Sequence, residues 1–144
     1  MMLEPAIEVI SVQLVHPDAQ VSNAEFVVWD FDPDHRDWIR LALRFGGREI
    51  VASNEDYFHA MQEIRPELEK QGIYLNCYGA SRNVYPSAMS IDMGAGHKGY
   101  RHTIGEHPKI SSLVSIFESG DDVILSTVAK QEQYYRDWQA NFPH

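Results

Sequence analysis

Between Ile7 and Ala52 the apolar residues come in four strand-length runs, and the first of them alternates with a period of two, which a strand can bury and a helix cannot. In Ile7–Val15, Ile10, Val12 and Leu14 alternate with Ser11 and Gln13, and His16-Pro17-Asp18 ends the run. A second strand is expected over 25–31, through Phe26, Val27, Val28 and Trp29, stopping in an acidic turn. Residues 38–45 and 48–52 read as a hairpin around Gly46-Gly47, because glycine tolerates the positive φ that a two-residue turn demands. Strands joined by such short connections pair antiparallel.

Helical patterning begins only after this block. A helix is expected from near Ser53, which can cap it with Asp56 three residues on. Tyr57, Met61, Ile64 and Leu68 follow at spacings that give one apolar face, with Pro66 expected to kink or restart the helix and Gly72 to close it. Further on, 73–78 reads as a short strand, 86–93 as a short helix followed by Gly94, and 99–104 and 113–118 as strands. A helix over 127–142 carries Val128, Tyr135, Trp138 and Phe142 along one side. That stripe fits core packing better than a docking surface. No repeat or linker divides the 144 residues. The expectation is one α+β domain over 1–144: a mainly antiparallel sheet of about five to seven strands with two or three helices packed on one face.

With 44% hydrophobic residues the chain is too apolar for disorder. Cys77, the one cysteine, falls in the apolar run 73–78, so it has no disulfide partner and reads as a buried hydrophobe. The first eight residues lack a basic region followed by an apolar stretch, and no run approaches the length of a bilayer span, so a cytoplasmic protein is expected. Twenty-one acidic against 12 basic side chains leave a net charge of -9, which repels phosphate backbones and attracts basic partners. Nucleic acid and membrane are therefore not expected partners.

That charge is concentrated. Asp30, Asp32, Asp34 and Asp37 follow one hydrophobic strand, and carboxylates at alternating positions repel unless a cation, a basic partner or water offsets them. A calcium loop fails, because His35 and Leu41 stand where glycine and glutamate are required. The run Phe26-Val27-Val28-Trp29-Asp30-Phe31-Asp32 resembles the first motif of haloacid-dehalogenase-like phosphatases. The resemblance implies Asp30 as nucleophile, Asp32 as acid/base and Mg²⁺ held by both, with Ser81, Lys98 or Lys109, and Asp121-Asp122 following in a compatible order. The chain departs from that pattern at Pro33, where the family has a flexible glycine, and at Asp34, a charge where phosphate would bind.

Other chemistry is less complete. Gly94-Ala95-Gly96-His97-Lys98-Gly99 has the spacing of a dinucleotide-binding turn, but a helix precedes it and a strand follows, the reverse of what pyrophosphate binding requires. His97, His102 and His107 recur every fifth residue, which in a strand alternates faces and suits no shared metal. There is no Gly-x-Ser-x-Gly elbow. No catalytic set, metal site or cofactor is assigned.

The segment 78–89, Tyr-Gly-Ala-Ser-Arg-Asn-Val-Tyr-Pro-Ser-Ala-Met, continuing as 93–100, Met-Gly-Ala-Gly-His-Lys-Gly-Tyr, is similar to small bacterial immunity-type proteins of polymorphic toxin systems. The resemblance implies a cytoplasmic antidote that binds one toxin domain and blocks it. Toxin domains that cut nucleic acids tend to be basic, and an acidic inhibitor associates with them fast. The expected function is a non-catalytic protein that neutralises a protein partner, a basic toxin domain among the candidates. The expected contact residues are Asp30, Asp32, Asp34, Asp37, Glu106, Asp121 and Asp122, with the phosphatase as the alternative. Oligomeric state is not legible.

Overall fold

The N-terminal alternation becomes an antiparallel meander in a computed structural model of the chain that describes residues 4–142; the start of the stretch read for a signal peptide, and His144, lie outside them. Strands β1 (Ile7–Val15), β2 (Val21–Trp29), β3 (Ile39–Phe45) and β4 (Arg48–Asn54) pair in sequence order. Gly46 (φ 53°) and Gly47 (φ 76°) make the β3–β4 turn in the left-handed conformation expected of them. The second strand starts four residues earlier than expected, because the turn at 16–20 brings Val21 opposite Val15. It also ends earlier, at Trp29, where the chain folds Asp32 inward.

One face of the sheet buries Val12, Leu14, Ala24, Phe26, Val28, Leu41 and Leu43 under helix α1 (Tyr57–Glu69). Each fully buried side chain of this size contributes about 1.5–3 kcal/mol. The helix offers Tyr57, Met61, Ile64 and Leu68 as its spacing foretold. It differs at both ends of the expectation. Asp56 itself is the N-cap and accepts from the His59 N–H at 2.9 Å, while Ser53 stays in β4. The helix also runs continuously through Pro66.

The remaining strands are shorter than their apolar runs and divide between two sheets. Strand β5 (Tyr74–Asn76) joins the meander beside β1, giving the order β4-β3-β2-β1-β5. β6 (Val84–Tyr85), β7 (Lys98–Arg101) and β8 (Leu113–Ser115) form a separate antiparallel sheet. A short helix, α2 (Ala88–Gly94), is capped by Ser87, and the last, α3 (Val128–Ala140), by Thr127. Gly96 (φ 71°) lies so close to Asp56 that a Cβ there would stand 2.8 Å from its carboxylate, so the glycine-rich turn is a packing device against the start of α1. The fold is α+β. Among the described residues no helix is long and apolar enough to cross a membrane.

Candidate functional site

The acidic turn is organised by its least exposed member. Asp32 is 4% exposed, and its Oδ1 accepts from the Asp34 N–H at 2.8 Å and from Arg40 Nη2 at 3.1 Å. Its backbone closes the turn as well: its N–H donates to the Trp38 carbonyl at 2.7 Å and its carbonyl accepts from His35 at 3.2 Å. Burial pushes the carboxyl pKa up, but the Ser53 hydrogen bond, the Asp34 N–H and the Arg40 charge outweigh it and hold it below the ordinary aspartate value. Asp32 was expected to touch a partner. It is turned inward instead, beside residues that do face solvent.

Those residues are Asp30, Asp34, Asp37 and Trp38, all exposed. The Asp30 carboxylate accepts from the Ala6 N–H at 2.9 Å, which ties it to the start of β1. Asp34 shares Arg40 with Asp32, at 2.9 Å. The Trp38 ring, 37% exposed, stacks on His35 at 4.5 Å. The other expected contact residues lie apart from this turn. Asp122 accepts from Tyr78 Oη and from Arg101 Nη1, both at 2.7 Å, and these bonds keep its pKa low. Asp121 beside it is exposed. Glu106 is exposed on a loop whose carbonyl accepts from Trp138 Nε1 at 3.0 Å.

A run of clefts connects part of this acidic surface. The first is lined by Glu8, Asp30, Tyr57 and His97; the next shares Glu8 and His97 and adds Ile10, Phe117 and Glu118; the third continues to Gln13, Asn76 and Ser119. Asp121 and Asp122 follow Ser119 by two and three residues.

No protein-family model matches the chain, and no curated protein does.

The geometry gives the phosphatase resemblance little to use. Asp30 and Asp32 differ in setting, one exposed and one buried on Arg40, and among the described residues no three His, Cys, Asp or Glu side chains are grouped to hold a metal ion. Cys77 is fully buried, its Sγ 3.8 Å from Met61 Sδ, and burial pushes its thiol up to about 11, away from nucleophilic thiolate.

What sequence reasoning missed is the polar hub beneath the central segment. Arg65, on the buried face of α1, donates to the Gln131 side-chain oxygen, to the Ser126 carbonyl at 2.9 Å and to the Ala80 carbonyl at 3.5 Å. The Gln131 amide nitrogen in turn lies 2.9–3.0 Å from the carbonyls of Gly79, Ser81 and Val84, which share its two N–H donors. Next to the hub, Tyr85 stacks on Tyr135 at 3.8 Å and donates to Glu132 at 2.8 Å. Residues 79–85 are thus clamped between α1 and α3. An arginine on a helix's apolar face was the available signal, since such a charge must find buried acceptors.

The histidines occupy separate settings, although none of His97, His102 and His107 lies within a strand, where the spacing argument would apply. His97 packs on Tyr57 (4.3 Å), His102 on Trp138 (4.1 Å) and His107 on Phe142 (4.5 Å). His59 differs, its Nδ1 lying 2.7 Å from Asp56 Oδ2. That hydrogen bond raises the His59 pKa, whereas burial lowers those of His97 and His102. An NMR titration should place the His59 midpoint above the ordinary histidine value of about 6.5 and the other two below it. The linkage signs are opposite. The His59 contribution to stability is full below its unfolded pKa and is lost as pH rises through its folded value. The penalty at His97 and His102 grows as pH falls from the unfolded pKa toward their folded values. A His59 midpoint below that of His102 would contradict the assignment.

Proposed function

We propose that this protein binds and neutralises a basic protein partner and performs no catalysis itself, a toxin domain being the partner class that the central resemblance implies. The observation that carries the reading is the turn at 30–38. Its buried aspartate bonds the Asp34 N–H, Arg40 and the backbone of His35 and Trp38, in a turn that presents three outward carboxylates and an exposed tryptophan. Tryptophan surrounded by polar groups is a frequent centre of binding energy at interfaces. Fixing such groups in advance lowers the entropy lost on association, and the net charge of -9 speeds encounter with a cationic surface.

The test is co-expression with the product of the adjacent gene, followed by stopped-flow association. A complex should form and growth should be protected. The double variant Asp34→Lys/Asp37→Lys should associate about tenfold or more slowly at low salt, with a flatter salt dependence. Absence of both complex and protection would refute the reading.

A further inference from the structure

The sheet has one edge that is half closed. β1 pairs with β2 along its whole length, but β5 covers only Gln13–Val15 on the other side. In an antiparallel ladder alternate residues bond to opposite neighbours. Asp30 donates to the Ala6 carbonyl, so the even-numbered residues of β1 serve β2, and Gln13 and Val15 serve β5. The N–H and C=O groups of Ile7, Val9 and Ser11 therefore point outward along an edge that, among the described residues, has no strand beside it. The connected clefts run along this edge and on to Gln13, over about 20 Å at the rise of an extended strand.

We propose that this open half of β1 takes up an extended segment of the partner as an additional strand, one in which apolar residues alternate with lysine or arginine. The inference rests on the protein-binding reading and specifies its mode. Side chains of an added strand would alternate between two faces. On one, Ile7 and Val9 are exposed to 56% and 55% and offer apolar neighbours. On the other lie Glu8 and, across the cleft, Glu118, with Asp30 at its end. Among the described residues no lysine or arginine lines these clefts, and the imidazole of His97 is held toward its neutral form by burial. Main-chain groups would supply the affinity and the alternating faces the selectivity, as in other cases of strand addition. The opposite edge, β4, also lacks a neighbour among the described residues but carries both Arg48 and Glu49, so it does not select for cations.

The probe is a synthetic peptide of four Lys-Val repeats, titrated into the full chain by fluorescence anisotropy and by amide hydrogen exchange. Saturable binding is expected, with slowed exchange at Ile7, Val9 and Ser11. N-methylation of alternate peptide residues should weaken binding on the order of tenfold or more by removing several hydrogen bonds. Glu118→Lys should weaken it about two- to fivefold at low salt. The variant Val9→Pro removes an outward N–H without touching the β2 ladder and should abolish the protection; if it fails to fold, the N-methylated peptide still decides. Protection at Arg48–Asn54 instead, equal binding of a Glu-Val peptide, or doubling of the mass of the free chain through this edge would overturn the proposal. If the adjacent gene product binds while the three amides stay unprotected in that complex, strand addition fails and the protein-binding reading stands.

Discussion

Gln131→Leu should destabilise the fold by about 3–5 kcal/mol, because it strips partners from several buried polar groups at once. The two N–H groups of the Gln131 amide are shared among the carbonyls of Gly79, Ser81 and Val84, and its oxygen is an acceptor for Arg65. Leucine fills most of the volume but satisfies none of these atoms. Each stranded buried group loses about 1–3 kcal/mol, tempered where the segment relaxes toward water. Arg65 retains the Ser126 and Ala80 carbonyls, which limits the loss at the guanidinium. Urea denaturation should show the midpoint falling with little change in slope. The damage should concentrate in 78–86, visible as faster amide exchange there than in β2 and β3. Because Arg65 and Gln131 share one network, Arg65→Met combined with Gln131→Leu should cost less than the sum of the two single changes. Strict additivity, or a single-variant loss under 1 kcal/mol, would show that the hub is not the clamp its geometry describes.

The meander was legible because local chemistry and burial agree there. Ile10, Val12 and Leu14 alternate with polar residues, and the paired glycines of the β3–β4 turn adopt the conformation they are suited to. The same holds for the apolar face of α1. Legibility failed where a tertiary partner overrode a local pattern. Apolar residues 73–78 suggested a strand throughout, but only Tyr74–Asn76 has a neighbour in β1, and the chain then turns so that the Tyr78 and Gly79 N–H groups donate to the carbonyls of Glu118 and Ile116. The two-residue strand β6 has no periodicity to detect and exists because Gln131 and β7 hold it. Ser53 was read as a cap from its position alone, whereas its hydroxyl serves the Asp32 carboxylate across the sheet. Among the acidic residues, sequence identified the turn but not that one of its four carboxylates is its internal support. Neither could it place Asp30 and Glu118 along one run of adjoining clefts, because they are brought together by the edge of β1 and not by chain proximity.

That internal support yields the second large effect. Asp32→Ala should lose about 2–3 kcal/mol, since it leaves the Asp34 N–H, the Ser53 hydroxyl and a partly buried Arg40 without their shared acceptor. The pH dependence has a definite sign. The folded pKa of Asp32 lies below its ordinary value, so its contribution is present above the unfolded pKa and is lost as pH falls through the folded one. The stability difference between wild type and Asp32→Ala should therefore be constant near neutrality and shrink in acid, below the unfolded aspartate value of about 3.9. Asp34 provides the contrast: its side chain is 85% exposed, so Asp34→Ala should stay within about 0.5 kcal/mol of wild type. On the proposed binding role, partner association inverts the simple expectation from burial. Asp34→Ala, although neutral for stability, should slow encounter directly. Asp32→Ala should weaken binding only by loosening the turn, an effect that a backbone-rigidifying substitution in 33–37 would partly reverse. If Asp32→Ala left the turn ordered and stable while abolishing an activity, the carboxylate would be acting on a ligand, and its place inside the Arg40 cluster would need another explanation. Rescue through the backbone and not through a second carboxylate is the outcome that its geometry supports.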